Sequence, residues 1–173
     1  MPFSLLNLAP IIYTRGQAAL GGIVAYILAP GDPGYDADVQ HGLIISSANL
    51  SSGIRWYNGS YVTTGATGIA IGTGLSNTNT IIAVQGAVAT SYAAGLARAH
   101  NGGGYNDWYL PSRTEASRIC SGAGRVITSG TFWSSTEGDQ FGAAIFDFTV
   151  CASNNFWDKA DTSLGAVRAV RSF

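Results

Sequence analysis

Cysteine and histidine are the residue types best suited to nucleophilic or redox chemistry and to transition-metal binding, and this chain has two of each. Cys120 and Cys151 stand far apart in sequence, whereas reactive cysteine pairs and zinc sites place cysteines within a few residues. His41 and His100 stand in no H-x-x-x-H frame. The sequence therefore predicts no catalytic residue, no cofactor and no metal site. The sequence favours two free thiols, and a disulfide between Cys120 and Cys151 stays the alternative.

Two arginines near the C-terminus alternate with valines in the segment Val-Arg-Ala-Val-Arg. On a strand this alternation shelters at least one guanidinium, and a sheltered charge needs a partner. The expected partner is one of three acidic residues: Asp107, Glu115 or Glu137. The residues predicted to hold the fold together, rather than to line a pocket, are Asp107, Trp108, Glu115, Trp133, Glu137, Arg168 and Arg171.

Aromatic residues in or beside predicted loops are the candidates for ligand binding. Exposed aromatic faces stack on sugars and form hot spots in protein interfaces. The candidate residues are Trp56, Tyr57, Tyr61, Tyr105, Phe156 and Trp157. The alternative is that at least half of them fill the core beneath long loops.

The composition excludes several classes of protein. Apolar residues make up 46% of the chain and charged residues 11%, so the chain is not disordered. The net charge is -1 and no basic run occurs, which argues against a nucleic-acid partner. No apolar stretch reaches the roughly 18 residues of a membrane span. No positive residue precedes the N-terminal apolar run, so a secretory signal is not favoured.

The order of elements predicts an α+β fold with two helices and a twisted, mainly antiparallel sheet. Apolar residues at three- and four-residue spacing predict a helix over residues 81–100, and the capping box Ser112-x-x-Glu115 begins a second helix. Residues 61–80 are predicted as a loop, as is the chain from the Asn154-Asn155 turn to Asp161. The predicted strands are residues 22–29, 43–47, 54–57, 132–135, 144–150 and 166–173.

Five sequence blocks follow one another in a specific order: GGIVAYIL, HGLI, GYNDWYLPSRTE, FWSSTE and VRAVRSF. In this order they resemble the bacterial and phage domain family named for the C-terminal domain of the Legionella collagen-like adhesin. The resemblance covers residues 21–173 and implies a C-type-lectin-like fold, related to that of formylglycine-generating enzymes. It implies adhesion or a surface or virion role, and no reaction. Residues 1–20 are predicted to form a separate apolar arm.

The resemblance does not imply a calcium site. Asn106-Asp107-Trp108 reverses the order of the Trp-Asn-Asp signature of sugar-binding C-type lectins. No E-P-N or Q-P-D loop supplies further ligands, although calcium takes six to eight oxygen atoms.

These observations favour a non-enzymatic virion component of a phage, in a fibre or spike, with a face that binds a host-surface glycan or protein. The alternative is a bacterial cell-surface adhesin domain that recognises polysaccharide, and an enzyme is least favoured. The apolar arm has too few neighbours in sequence to build its own core, so we expect it to assemble the chain into a homotrimer and to contact other virion or surface proteins. The apolar residues of the arm are Leu5, Leu6, Leu8, Ile11 and Ile12.

Overall fold

The computed structural model describes residues 11–86 and 90–173, and only the backbone of residues 154 and 155. Within this part the fold is α+β, as predicted, with three helices and two mainly antiparallel sheets. The strands are β1 (Ala18–Ala19), β2 (Gly22–Ile27), β3 (Gly42–Ile45), β4 (Thr131–Glu137), β5 (Gly142–Asp147), β6 (Ala152–Asp158) and β7 (Val170–Ser172). The helices are α1 (Thr73–Gln85), α2 (Ala93–Ala99) and α3 (Arg113–Cys120).

The first sheet joins both ends of the described chain in the strand order β1-β2-β3-β7. The apolar run of β2 pairs with β3, and β3 pairs with the C-terminal strand, where Ile44 lies opposite Arg171. Tyr13 packs edge-on against Phe173, with ring centroids 5.3 Å apart. The chain therefore packs against this sheet from Tyr13 onward, within the segment predicted to be a separate arm.

The second sheet has the order β4-β5-β6, so β6 is an edge strand. Residues 154–161 were expected to form a turn and a loop, and this prediction is wrong for residues 154–158, which belong to β6. The two consecutive asparagines resemble a turn signal, but pairing with β5 extends the segment, with a register shift between Ala144 and Ile145. Residues 54–57, predicted as a strand, form no strand.

The prediction of a single helix over residues 81–100 is wrong, because two helices, α1 and α2, occur in this region and α1 begins earlier. Helix α1 begins at Thr73, inside the predicted loop, and ends at Gln85. Gly86 follows with a φ of 102°, a conformation that glycine adopts readily and that ends the helix. Residues 87–89 of the predicted helix lie outside the described residues, and α2 follows at Ala93. The second predicted helix is confirmed as α3, which begins with the expected capping box.

The two cysteines form a disulfide, so the expectation of free thiols is wrong. Cys120 ends α3 and Cys151 immediately precedes β6, and their Cα atoms are 5.6 Å apart. The sequence separation gave no sign of this contact, because the unpredicted strand β6 is what brings Cys151 back to α3.

Residues 1–10, which make up half of the predicted N-terminal arm, lie outside the described part of the chain. Ile11 and Ile12 are exposed. Assembly as a homotrimer stays a prediction. No helix in residues 11–86 and 90–173 is long and apolar enough to cross a membrane.

Candidate binding surface

The six aromatic candidates separate into buried and exposed residues. Trp56 is fully buried and Tyr57 nearly so. Tyr105 is half-buried, with the Arg171 guanidinium 3.8 Å above its ring. The three exposed candidates are Tyr61, Phe156 and Trp157. Three of the six candidates are thus buried or half-buried, in line with the alternative that at least half of them lie beneath loops.

A fourth aromatic residue, Phe141, joins the exposed three around one end of the second sheet. We call these four residues, Tyr61, Phe141, Phe156 and Trp157, the aromatic rim. Their side chains are between 38% and 55% exposed. The rings of Tyr61 and Phe141 lie 5.5 Å apart. Sequence analysis missed Phe141, although a lone phenylalanine in the polar turn Gly-Asp-Gln-Phe-Gly is a recognisable signal of an exposed aromatic residue.

The turn between β4 and β5 sets the position of Phe141. Asp139 Oδ1 accepts hydrogen bonds from the backbone N–H groups of Phe141 and Gly142, both at 2.7 Å. These two bonds lower the pKa of Asp139, so its carboxylate stays ionised and keeps the turn closed at neutral pH. At Gly138 a Cβ atom would lie 2.3 Å from the Phe156 ring, so only glycine allows this ring to lie over the turn.

Edge strand β6 carries the other two exposed rings, and its last residues pair with the start of β5. Phe156 and Trp157 are consecutive, so they point to opposite faces of the sheet. On one face, the Arg113 guanidinium lies 5.7 Å from the centre of the Phe156 ring. The opposite face carries the Trp157 indole. The rim therefore wraps around a free sheet edge rather than forming a flat patch.

Two carboxylates orient the polar ends of the rim. The Tyr61 hydroxyl donates to Asp158 Oδ1 at 2.7 Å, which raises the pKa of Tyr61 to about 12. The Trp157 Nε1–H donates to Asp161 Oδ2 at 2.7 Å. Hydrogen bonds from Ser163 and then from Trp157 lower the pKa of Asp161. Both hydrogen bonds consequently persist at neutral pH, with the phenol protonated and the carboxylate charged.

A buried ion pair lies directly behind the rim. Lys159 Nζ is 2.6 Å from Glu137 Oε1, and both side chains are almost inaccessible to solvent. Lys159 Nζ also donates to the Val62 carbonyl at 3.1 Å and lies 4.8 Å from the Trp56 ring. We call Trp56, Glu137 and Lys159 the buried cluster. Sequence analysis assigned Glu137 to an arginine and missed Lys159 as its partner.

The buried cluster holds the loop that carries Tyr61. Glu137 accepts hydrogen bonds from the backbone N–H groups of Thr64, at 2.8 Å, and Gly65, at 2.7 Å. The backbone N–H of Lys159 donates to the Phe141 carbonyl at 2.8 Å. The buried cluster therefore holds both the loop that carries Tyr61 and the turn that carries Phe141.

The prediction that a C-terminal arginine pairs with an acidic residue is confirmed by Arg171 and Asp107. The guanidinium donates to both carboxylate oxygens, at 2.7 and 2.8 Å, while its own side chain is buried. Tyr105 covers this pair and is thereby used inside the fold. Arg168 forms no ion pair with any described acidic residue and donates to Asn49 Oδ1 and the Ser46 carbonyl instead.

The remaining residues predicted to hold the fold together lie in the core. Glu115 accepts from the backbone N–H groups of Ser112 and Gly72, and burial raises its pKa. The Trp133 indole donates to the Ile54 carbonyl at 2.6 Å. Trp108 packs against His100, with ring centroids 4.7 Å apart. These positions keep the side chains away from solvent and from the aromatic rim.

No group of three or more His, Cys, Asp or Glu side chains within residues 11–86 and 90–173 is placed to hold a metal ion. Neither the comparison of the sequence with models of protein families nor the comparison with curated proteins gives a match.

Proposed function

We propose that the chain is a non-enzymatic binding component of a phage virion, in a fibre or spike, and that the aromatic rim contacts a glycan on the host surface. The observation that carries the proposal is the rim itself: four exposed aromatic rings around one free sheet edge. Large exposed rings are costly in water unless a partner covers them. The resemblance of the five sequence blocks to the adhesin-type family supports the same role and a C-type-lectin-like fold.

The chemistry of the rim favours a saccharide. Sugar rings present apolar C–H faces that stack on aromatic rings, and hydroxyl groups that need acceptors. Asp158 and Asp161 lie beside Tyr61 and Trp157, and each carboxylate oxygen can accept more than one hydrogen bond. The rim therefore combines stacking surfaces with hydrogen-bond acceptors.

The buried ionisable groups support binding rather than catalysis. Glu115 caps α3, and Glu137 is engaged by Lys159 and by two backbone N–H groups. A general acid or base must reach the reacting group of a substrate. Groups that are inaccessible to solvent and hydrogen-bonded within the fold do not meet this requirement.

The second candidate function is a bacterial cell-surface adhesin domain that recognises polysaccharide, and the disulfide fits it as well as it fits the first. Disulfides persist in oxidising environments such as the cell surface, the periplasm and the virion exterior. Cys120–Cys151 is consistent with either surface location, so the adhesin remains the alternative. Both proposals assign the rim to glycan binding.

The double variant Phe156→Ser/Trp157→Ser tests the proposal. We expect it to weaken binding to the recognised bacterial surface polysaccharide by at least about tenfold in Kd, because hot-spot aromatics carry much of the binding energy. The control Tyr35→Ser removes an aromatic residue of similar exposure (40%) outside the rim. Binding to a panel of polysaccharides is measured on a biosensor surface. Equal affinities for the double variant and the control would contradict the proposal.

A further inference from the structure

A cleft that no residue of the aromatic rim lines has a volume of about 560 Å³. Three segments form it: residues 49–52, residues 126–132 and residues 163–168. Its lining is rich in hydroxyl and amide groups, with a smaller apolar part. The polar lining residues include Asn49, Ser52, Thr128, Ser129, Thr131 and Ser163.

Arg168 is the cation of this cleft. Its Nε–H donates to Asn49 Oδ1 at 2.6 Å, and its Nη1–H donates to the Ser46 carbonyl at 2.5 Å. Two of its three nitrogen atoms are thus held by neutral acceptors. Nη2 makes no hydrogen bond within the described part of the chain. The guanidinium is therefore held in a fixed orientation without having its charge compensated.

The lack of an acidic partner is a property of the whole chain. All ten acidic residues lie within the described ranges, and none forms an ion pair with Arg168. The ion pairs found there use Arg118, Lys159 and Arg171. Burial lowers the pKa of Arg168, but the ordinary pKa of a guanidinium lies so far above neutral that the group stays charged. Burial without a counter-charge costs free energy that an incoming anion recovers.

Guanidinium groups favour planar anions such as carboxylates as hydrogen-bond acceptors. In Arg168 the nitrogen atom left to donate to such an anion is Nη2, because Nε and Nη1 already donate to Asn49 and Ser46. The hydroxyl groups around Arg168 suit a ligand that carries many hydroxyls of its own. Phe132 and Leu164 add an apolar part to the lining, against which a sugar ring can pack. The cleft thus offers one positive charge, several neutral donors and acceptors, and a small apolar face.

Asp161 is the acidic residue nearest in sequence to the cleft segment 163–168, and its carboxylate is already engaged. It accepts from the backbone N–H and the hydroxyl of Ser163, at 2.6 and 2.7 Å, and from Trp157. The Asp161 carboxylate therefore holds Ser163 at the cleft. The same carboxylate contacts Trp157 of the aromatic rim.

We propose that this cleft binds the carboxylate-bearing residue of an acidic saccharide, such as a hexuronate, with Arg168 as the anion-binding residue. Sulfate esters on a sugar present similar oxygen atoms, so sulfated sugars are tested beside uronates. The proposal does not depend on the aromatic rim, because no rim residue lines the cleft.

The test measures binding of three probes to the full chain by isothermal titration calorimetry: an oligosaccharide of glucuronate, a sulfated oligosaccharide and a neutral oligosaccharide of equal length. We expect the glucuronate probe to bind at least tenfold more tightly than the neutral probe. We also expect Arg168→Gln to remove this preference. The matched control is Arg98→Gln, because Arg98 also donates to an asparagine side chain, that of Asn79, and lies outside the cleft.

A second variant keeps the experiment decisive if Arg168→Gln fails to fold. Asn49→Asp leaves Arg168 in place and gives it a carboxylate partner within the chain, so the glucuronate probe should again lose at least tenfold in affinity. Equal binding of the acidic and neutral probes to the unmodified chain overturns the proposal, as does unchanged glucuronate affinity in both cleft variants. Tighter binding of the sulfated probe would assign the site to sulfate esters instead of uronates. The variant Phe156→Ser/Trp157→Ser should keep its glucuronate affinity, so failure of the rim proposal would be seen separately.

Discussion

The buried cluster and the aromatic rim use the same kinds of residue in opposite ways. Each combines aromatic rings with charged side chains, and strand β6 with its next residue contributes to both. Trp157 is 38% exposed, whereas Lys159, two positions later, is fully buried. The loop through Val62 and Thr64 makes this difference, because it covers Lys159 and Glu137 and leaves the indole uncovered. Exposure is decided by what lies above a residue, not by its type.

The comparison separates a positioning role from a binding role. In the buried cluster every charged group has partners within the fold, so its removal should affect stability first. In the rim, part of the surface of each ring is uncovered, so removal of the rings should affect binding first. The ion pairs Lys159–Glu137 and Arg171–Asp107 differ in burial, because Asp107 is half-exposed whereas Lys159 and Glu137 are both buried. Variants of the two pairs therefore test the role of burial.

The largest effect is expected from Lys159→Met. This change leaves the Glu137 carboxylate buried without its cation, and breaking a buried pair on one side costs about 3–5 kcal/mol. The measurement is the free energy of unfolding in urea, with Asp36→Asn as an exposed control. The double variant Glu137→Leu/Lys159→Met removes both charges and should recover part of the loss. A Lys159→Met protein as stable as the control would show that the pair does not hold the loop.

A smaller effect is expected from Asp107→Asn. The Asp107 side chain is 47% exposed, so the loss should be about 0.5–1 kcal/mol. The hydrogen bond from Arg171 lowers the pKa of Asp107, which makes the pair stabilising above the unfolded pKa of about 4. That stability is lost as the pH falls through the lowered pKa. The stability difference between the two proteins should therefore be full at pH 6 and shrink toward pH 2.

Urea unfolding of both proteins across this pH range measures the difference. A gap of the same size at both ends of the range would mean that the charge of Asp107 does not contribute. A loss as large as that of Lys159→Met would mean that exposure does not distinguish the two ion pairs.

Local signals in the sequence predicted the parts of the fold that local chemistry controls. The capping box placed the start of α3, and the alternation of Arg168 and Arg171 with valines predicted that one of them pairs with an acidic residue. The apolar run of β2 was visible in the sequence. The residues that decide the capping box and the apolar run are neighbours in sequence, whereas the partner of Arg171 is 64 residues away.

Long-range contacts account for the rest. The sequence of β6 contains two asparagines, and only its pairing with β5 makes it a strand. That strand in turn places Cys151 beside Cys120 and Lys159 beside Glu137, so one missed element hid both pairs. The break between α1 and α2 depends on the conformation of Gly86, which the helical period does not reveal.

The candidate binding residues show the same limit. Three of the six aromatic candidates are exposed, and nothing in their local sequence separates them from the buried three. Tyr57 ends a predicted strand and Tyr61 begins a predicted loop, on either side of the same predicted turn. Only Tyr61 is exposed, and it contacts Phe141 and Asp158.

Tryptophan fluorescence tests the aromatic rim most directly. The chain has four tryptophans, and Trp157 is the exposed one, while Trp56, Trp108 and Trp133 are buried. Acrylamide should therefore quench the part of the tryptophan fluorescence that comes from Trp157. The variant Trp157→Phe should lack this quenchable part. A surface polysaccharide that binds the chain should shield this part in the unmodified protein. Quenching that persists in Trp157→Phe, or that is unchanged when the polysaccharide is bound, would contradict the assignment of the rim as the binding surface.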